Sequence, residues 1–337
     1  MAGKSGRSIN NVPENPMKHI IFSWEGILVI LFILVNIFCA SFSEFYNMKS
    51  VLRQMPVYLA EVFMMFPMAY ILVLGEIDIS VGAIVCLSAT LSCMVCNTNA
   101  PFIVVVLTAL VVGALCGAVN GFILTRFKEL PPMIVTLATQ LIVYGILLMY
   151  IMLNGNNGQP LSGLDKSFKN FVTGSFLKIR GVPIPNYVWY ACVVVVFMWF
   201  MWNKTTFGKN MFAVGSNPEA ANVSGVNVMK TTIMVHTLAG MMYGITGFIE
   251  SARIGSNTAN TGLNYECDAI AACVIGGVSF VGGTGKISGV VMGVFLLRII
   301  FVALNFLSIN ANLQYIIKGL IILVACAIDM RKYLVRK

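Results

Sequence analysis

The sequence predicts an all-α polytopic membrane protein with about ten transmembrane helices. The 337 residues are 58% hydrophobic and only 10% charged, far outside the averages of soluble proteins. Long apolar runs recur along the whole chain, and short polar connectors separate them. A span needs about 20 mostly apolar residues, or fewer when it is tilted or covered by neighbours. The predicted spans are residues 26–42, 54–74, 79–96, 101–124, 132–153, 187–202, 231–249, 268–281, 287–307 and 313–328.

The two ends of the chain are predicted to be cytoplasmic tails on a single transmembrane domain, residues 26–330. Residues 1–25 are polar and rich in Gly, Ser, Asn and Pro, and no small-residue cleavage site follows the first apolar run. This pattern differs from that of a cleavable signal peptide. Residues 331–337 are mostly basic.

The distribution of basic residues predicts the orientation. With the N-terminus inside, thirteen of the 22 Lys and Arg residues fall in cytoplasmic segments, seven in external segments and two in spans. An excess of basic residues on the cytoplasmic side favours N-in and C-in. The net charge of +9 is scattered between apolar runs and forms no patch or stripe. We therefore expect a membrane-lipid environment and no nucleic-acid partner.

Glycines inside the apolar runs predict close helix packing. Gly113 and Gly117 have G-x-x-x-G spacing, as do Gly240 and Gly244. Two segments, 74–82 and 265–270, interrupt the apolar pattern at similar places in the two halves. Such pairs are typical of internal repeats around a transport path. Because spans 2–5 start outside and spans 7–10 start inside, the repeat is predicted to be inverted.

Enzyme and metal motifs are incomplete. Residues 282–287, GGTGKI, resemble part of a phosphate-binding loop, but Phe280 stands where its first Gly should be and Ile287 where Ser or Thr should be. The two His residues, His19 and His236, lie far apart in sequence. Cys93 and Cys96 form a C-x-x-C without a second pair. We expect no catalytic residues, no metal site and no cofactor.

The polar segment 205–230 contains a predicted short helix. Asn217 is a good N-cap, Pro218 fits the first helical position, and Glu219 complements the positive end of the helix dipole. Gly225 marks the stop about two turns later. Because so short a helix is unstable alone, it must lie against the rest of the protein or against a partner. The local pattern slightly favours an interfacial helix that ties two spans together.

Four long segments resemble the permease subunits of bacterial ABC importers of the ribose, xylose, arabinose and galactose class. They are GEIDISVGAIVCLSA (75–89), LPPMIVTLATQLIVYG (130–145), TTFGKNMFAVGSNPEAANVSGVNV (205–228) and NYECDAIAACVIGGVSFVGGTGKISGVVMG (264–293). The resemblance runs in order from about residue 52 to the end, and residues 313–333 look most like the galactose/methyl-galactoside branch. Glu76, Met133 and Cys267 depart from the usual pattern.

The resemblance implies a ten-span permease of the bacterial inner membrane that pairs with a second copy of itself. It also implies a cytoplasmic ATP-binding-cassette subunit and an external sugar-binding protein as partners. Segment 203–230 then matches the coupling region that docks on the ATPase, which reverses the local preference. The coupling residues implied are Gly208, Asn217, Pro218, Glu219, Ala220 and Gly225.

The long external loop, residues 154–186, is the predicted contact with the binding protein. It carries four basic residues against the orientation rule, and a fifth lies in the next external segment. The candidate contacts are Lys166, Lys169, Lys178, Arg180 and Arg253. Basic residues there fit an acidic protein surface, and a solvated loop explains them equally well.

Polar groups inside the spans are the candidates for a sugar path. Neutral side chains and aromatic faces suit a hydroxylated substrate. The candidates are Asn120, Thr136, Gln140, Tyr144, Thr237, Phe301 and Asn305. Interhelical hydrogen bonding is the alternative role for each. Glu61, His236, Arg298 and Lys318 are ionisable and are expected to face the bundle or a water-filled path. For Arg298 and Lys318, the equal alternatives are to snorkel from the outer half of a span or to pair with Glu61.

The expected function is import of a monosaccharide, of the galactose/methyl-galactoside or ribose type, with ATP hydrolysed by a separate subunit. A sugar-derived signalling molecule or a nucleoside is an alternative cargo within the same family. An ion-coupled carrier is an alternative class, and a membrane enzyme lacks a nucleophile constellation. The sequence does not identify the sugar.

Overall fold

A computed structural model describes residues 23–42, 46–153, 161 and 164–334. Within these ranges the chain forms fourteen helices and one small hairpin. The helices are α1 (Trp24–Phe42), α2 (Met48–Leu59), α3 (Val62–Val73), α4 (Val81–Asn97), α5 (Phe102–Arg126), α6 (Pro132–Leu153), α7 (Lys166–Thr173), α8 (Asn186–Lys204), α9 (Thr206–Ser216), α10 (Pro218–Val223), α11 (Val228–Ile254), α12 (Tyr265–Ile275), α13 (Ile287–Phe306) and α14 (Ala311–Leu334). The antiparallel hairpin joins β1 (Leu177–Ile179) to β2 (Val182–Ile184).

The all-α polytopic class is confirmed, but the count of ten spans is not. In the described part, six helices are long and apolar enough to cross a membrane: α1, α5, α6, α8, α11 and α13. A seventh crossing results if α2 and α3, which are bent by 63°, form one broken span. The predicted third and tenth spans correspond to shorter apolar helices, 81–97 and 311–327. The predicted eighth span, 268–281, is reduced to α12, which has only 11 residues.

The centre of the bundle is α3. All twelve of its residues are buried, and they are apolar around the whole helix. A helix that is apolar on every side belongs inside a protein and not on its surface. In contrast, α5, α6 and α8 leave large apolar side chains exposed, such as Leu115, Leu141 and Val193. These helices therefore carry the lipid-facing surface, whereas α3 lies inside the bundle.

The tightest helix contact joins α5 to α11 through the two predicted G-x-x-x-G pairs. A Cβ atom at Gly113 would overlap the carbonyl O of Gly240, and one at Gly244 would overlap that of Ala109. Because higher numbers on α5 meet lower numbers on α11, the two helices are antiparallel. Small residues let the backbones approach without a hydrophobic drive between the helices.

Helix α2 stops where α3 begins because the chain bends at residues 60–61. The bend leaves carbonyl groups at the end of α2 without the partners that a continuous helix would supply. Tyr187 of α8 donates its hydroxyl to the Pro56 carbonyl O at 2.6 Å. Tyr70 of α3 donates likewise to the carbonyl of Met198 in α8. Helix α8 therefore supports both parts of the broken span.

The helix neighbours are those that the predicted inverted repeat requires. Helix α4 packs against α5, α6 and α11, and its counterpart α12 packs against α13, α14 and α3. Each central short helix thus touches two helices of its own half and the first helix of the other half. The repeat itself stays a prediction.

Two cavities and the capped helix as the candidate functional site

Two cavities lie at opposite ends of α3. One, here called the ionic cavity, has a volume of about 250 Å³ and is lined by Glu61, directly before α3. The other has a volume of about 1050 Å³ and is lined by Leu74 and Glu76, directly after α3. It is here called the asparagine cavity because Asn217, Asn222 and Asn227 also line it. Twelve helical residues span roughly 18 Å, so the buried helix α3 separates the two spaces.

Four charged side chains from four places in the fold meet at the ionic cavity. Arg298 of α13 lies 2.8 Å from Glu61 Oε2 and 3.4 Å from Asp268 Oδ2 of α12, and it is 1% exposed. Lys318 Nζ of α14 lies 2.6 Å from Asp268 Oδ1. Two cations balance two carboxylates, which is the condition for burying charge in a bundle. The expected pairing with Glu61 holds for Arg298, whereas Lys318 pairs with Asp268.

Aromatic rings complete the wall of the ionic cavity. The Phe301 ring centroid lies 5.8 Å from Arg298 Cζ and 5.2 Å from Lys318 Nζ. The ring of Tyr315 lies 5.5 Å from the same ammonium group. Tyr265 and Gln314 also line the space. These cations therefore lie over apolar rings as well as beside carboxylates.

A second polar cluster fixes the turn between α3 and α4, residues 74–80. Asp78 Oδ1 accepts hydrogen bonds from Ser80 N at 2.8 Å and from Ser80 Oγ at 2.6 Å. Asn120 Nδ2 of α5 donates to Ser80 Oγ at 2.9 Å. Thr136 Oγ1 of α6 accepts from Ile79 N at 3.1 Å. The turn is thus held by α5 and α6 together.

Glu76 binds this turn to α11 as well. Its Oε2 lies 2.6 Å from His236 Nε2, and the His236 side chain is fully buried. Glu76 also lines the asparagine cavity. Sequence reasoning noted both residues but did not pair them, because 160 positions separate them. The only sequence signal was that each is ionisable in or beside an apolar run.

The seven predicted path residues do not gather at one place. Asn120 and Thr136 meet at the α3–α4 turn, and Phe301 lines the ionic cavity. Asn305 is exposed and accepts from Gln314 Nε2 at 3.0 Å.

The remaining three path candidates have more local surroundings. Thr237 Oγ1 donates to Ile233 O of its own helix at 2.7 Å. Tyr144 is half-buried against a small cluster around Cys86, and Gln140 is half-buried on α6. The sequence missed Asp268, Tyr265 and Tyr315 as cavity residues, since only the fold brings α12 and α14 together.

The predicted short helix is present as α10. Asn217 Oδ1 accepts from Ala220 N at 2.9 Å, Pro218 is its first residue, and Glu219 lies in its first turn. Gly225 has φ +86°, a conformation that favours glycine. Helix α10 is exposed except at Ala221, and Val223 is 89% exposed.

The rest of segment 203–230 is more helical than the sequence indicated. Helix α9 precedes α10, and Thr205 accepts from Gly208 N at its start, at 3.3 Å. Gly208 is buried, and a Cβ at this position would overlap the carbonyl O of Trp202. Segment 203–230 therefore consists mainly of two helices, α9 and α10.

The end of α9 touches the end of α3. Gly283 N donates to Val73 O at 2.8 Å, and a Cβ at Gly215 would overlap the same carbonyl. A Cβ at Gly282 would lie 2.8 Å from Gly75 N and 2.7 Å from Gly215 O. Gly282 and Gly283 of the phosphate-loop-like segment 282–287 are thus packing positions between α3 and α9, whereas a Cβ at Gly285 would meet Val278 and Trp202.

The predicted binding-protein contacts lie on α7, on the hairpin and near the end of α11. Lys166 and Lys169 belong to α7, which packs against α11, and a Cβ at Gly255 would lie 2.8 Å from Lys169 Nζ. Lys178 and Arg180 are exposed on the hairpin. Arg253 differs, because its NH2 group lies 2.6 Å from the buried Glu250 Oε2.

Parts of several predicted segments lie outside the described residues: most of tail 1–25, positions 154–160 and 162–163 of the external loop, and 335–337 of the basic tail. Helix α14 continues through residue 334, so the predicted tail begins within a helix. Among the described residues, no group of three or more His, Cys, Asp or Glu side chains is arranged to hold a metal ion.

Comparison with known proteins gives consistent relatives. The galactose/methyl galactoside import permease of Escherichia coli (strain K12) is 40% identical over 327 residues, which cover 93% of this chain and 95% of the relative. The corresponding protein of Haemophilus influenzae is 38% identical over 328 residues, covering 93% and 96%. The ribose import permease of Bacillus subtilis (strain 168) is 34% identical over 307 residues, covering 90% and 91%. No solved structure matches the chain.

A family model described as "Branched-chain amino acid transport system / permease component" matches residues 49–326. The match includes α3, both cavities, α9 and α10. The chain is a multi-pass membrane protein that belongs to this permease family.

Proposed function

We propose that this chain is the membrane permease of an ATP-driven importer of a monosaccharide, of the galactose/methyl galactoside or ribose type. The names of its relatives, which are galactose/methyl galactoside and ribose import permeases, indicate the substrate class. ATP is hydrolysed by a separate cytoplasmic subunit, and the chain itself performs no catalysis.

The observation that carries this proposal is the pair of cavities at the two ends of α3. A transporter of this kind must open to one side of the membrane at a time. The cavities are separated by a helix whose twelve residues are all buried, so they are two distinct spaces in this state. Movement of α3 against α12 and α13 would open one cavity while it closes the other.

Helix α10 supports the proposed ATPase contact. It is short, capped by Asn217, and exposed on all but one residue, with an apolar side chain, Val223, facing outward. A capped, exposed helix offers a partner a surface of fixed geometry. The adjoining helix α9 reaches α3 through Gly215 and Gly283. Docking at α10 therefore has a direct mechanical connection to the helix between the cavities.

Two further partners follow from the same proposal. A sugar-binding protein docks on the surface formed by α7 and the hairpin, where Lys166, Lys178 and Arg180 are exposed. A second copy of the permease pairs with this one in the bacterial inner membrane. Both termini lie on the cytoplasmic side.

An ion-coupled carrier is the second candidate, and one observation favours it. Buried carboxylates are more numerous than the sequence suggested, since Asp78, Glu250 and Asp268 join Glu61 inside the bundle. Each has a cation or hydroxyl partner, however. Ion coupling requires a carboxylate that is free to take up an ion, whereas each of these already faces a cation or a hydroxyl group in this state.

Transport in reconstituted vesicles tests the proposal. Uptake of labelled galactose or ribose should require ATP, the ATPase subunit and the binding protein together. A vesicle with an ATPase subunit lacking hydrolysis is the matched control, and it should show no uptake. Uptake by this chain alone under a proton or sodium gradient would establish the carrier and exclude the importer.

A further inference from the structure

The ionic cavity contains hydrogen-bonding capacity that the protein itself does not use well. Arg298 Nε, Glu61 Oε2 and Asp268 Oδ1 are buried and have no well-oriented hydrogen-bond partner among the described residues. Glu61 and Asp268 make close ion-pair contacts through these same oxygens. Buried polar atoms normally find hydrogen bonds, so each exception requires an explanation. One such explanation is a ligand that supplies the missing donors and the missing acceptor.

The charge balance of the cavity defines the class of ligand. An anion would meet Glu61 and Asp268, and a cation would meet Arg298 and Lys318, so both would face repulsion at short range. A hydroxyl group both donates and accepts. A molecule with several hydroxyls therefore matches an alternating set of carboxylates and cations without adding charge.

The aromatic walls and the size narrow the class further. Phe301, Tyr265 and Tyr315 present ring faces or edges beside the charged groups, which suits the C–H face of a sugar ring. The volume of about 250 Å³ lies below the range of roughly 300–1,000 Å³ that drug-sized ligands occupy. The space thus has the size of a single sugar ring.

We propose that the ionic cavity is a binding site of the permease itself for one neutral monosaccharide, held by Glu61, Asp268, Arg298 and Lys318 and covered by Phe301. The proposal rests on the proposed function, because it places that function's cargo at this end of α3. The ligand must compete with the ion pairs for the same atoms. Binding is accordingly weak, which is what a transport site requires if its cargo is to leave.

Cysteine protection in the full-length permease, held in lipid nanodiscs, tests the site directly. In a background without the nine native Cys residues, Ala311→Cys places a thiol at the exposed rim of the cavity. D-Galactose or D-ribose should slow its reaction with a water-soluble maleimide at least fivefold at saturation. Thr98→Cys, in the exposed linker between α4 and α5, is the control and should react at an unchanged rate.

Charged analogues test the class of ligand. Galacturonate and galactosamine have the same ring but carry a negative and a positive charge. Neither should protect Ala311→Cys at the concentration at which galactose does. Equal protection by all three would overturn the assignment of a neutral ligand.

Paired neutral substitutions test the residues. Asp268→Asn with Lys318→Gln removes one carboxylate and one cation while Arg298 stays paired with Glu61, and it should abolish protection. The matched control is Glu25→Gln with Lys286→Gln, which removes a pair at 3.0 Å elsewhere and should leave protection intact. Phe301→Leu keeps all four charges and should weaken protection, so it serves if the double variant does not insert.

Protection that is absent for both neutral sugars, or that survives in the double variant and in Phe301→Leu, would overturn the proposal. These outcomes differ from failure of the proposed function. ATP-dependent uptake without protection would leave the importer standing and remove only this site. Protection without ATP-dependent uptake would keep the site and exclude the importer.

Discussion

Arg298 is the largest fully buried side chain in the described part of the chain, and two carboxylates from other parts of the fold contact it. Arg298→Gln would leave Glu61 without its cation partner in a low-dielectric site. Breaking a buried pair in this way costs about 3–5 kcal/mol of folding free energy. We expect the detergent-solubilised variant to have a lower denaturation midpoint, which corresponds to a loss of folding free energy of this size.

A double variant separates the charge from the shape of the side chain. Glu61→Gln with Arg298→Gln removes both partners and should recover most of the lost stability. If the double variant is as unstable as Arg298→Gln alone, packing of the guanidinium matters more than its charge. Arg298→Lys keeps the charge but not the planar fork. Its stability should therefore lie between that of Arg298→Gln and that of the double variant.

At this scale the sequence identified the right residues but not their partners. Glu61, Arg298 and Lys318 stood out because ionisable groups in apolar runs must be matched. Asp268 was recognised as part of a break in the apolar pattern and not as a partner. Contacts such as Glu76 with His236 depend on how distant helices pack, which no local pattern encodes.

At the scale of helices, the α5–α11 contact offers a sharp test. In Gly240→Ala the new methyl group would overlap the Gly113 carbonyl O, so the two helices must separate. Overpacking of this kind costs about 1–3 kcal/mol. Gly145→Ala on α6 is the control, because a Cβ there meets nothing within 4 Å. Thermal unfolding should show a loss for the first variant and no loss for the second.

The cap of α10 tests coupling. Asn217→Ala removes the acceptor for Ala220 N, which costs about 1 kcal/mol and is large for a helix of six residues. We expect ATP hydrolysis to continue while sugar uptake falls. Asn217→Asp keeps a capping oxygen and should transport normally. Equal uptake by both variants would show that the order of α10 is not needed for coupling.

Helix boundaries were predictable where one apolar run made one helix. The predicted starts and ends of α6 and α13 differ from the structure by at most one residue. Helix α9 was missed because its glycines and polar residues conceal a helix that is stabilised by packing at Gly208 and Gly215. The break before α3 has no Gly or Pro at residues 60–61, so it depends on support from Tyr187 and other distant groups.

At the scale of the whole molecule, the exposed basic residues predict how the binding protein docks. Neutralising Lys166, Lys178 and Arg180 to Gln should slow association with an acidic partner about tenfold at low salt. The difference should fade near 0.15 M salt, where the Debye length is about 8 Å. Stopped-flow association rates at several salt concentrations measure this. The control is Lys204→Gln with Lys209→Gln. Lys204 ends α8 and Lys209 lies on α9, so both are at the end of α8 that is opposite to the hairpin.

The arrangement of both cavities around α3 predicts reciprocal access. We expect α3, which is buried along its whole length, to tilt as one element, so that its two ends open and close in opposite senses. Ala311→Cys reports on the ionic cavity, and Thr125→Cys reports on the asparagine cavity away from exposed α10. In the assembled complex, a change from the nucleotide-free to the ATP-bound state should raise the maleimide reaction rate of one and lower that of the other. Thr98→Cys should not respond. Rates that rise or fall together would mean that the two cavities open independently and that α3 does not link them.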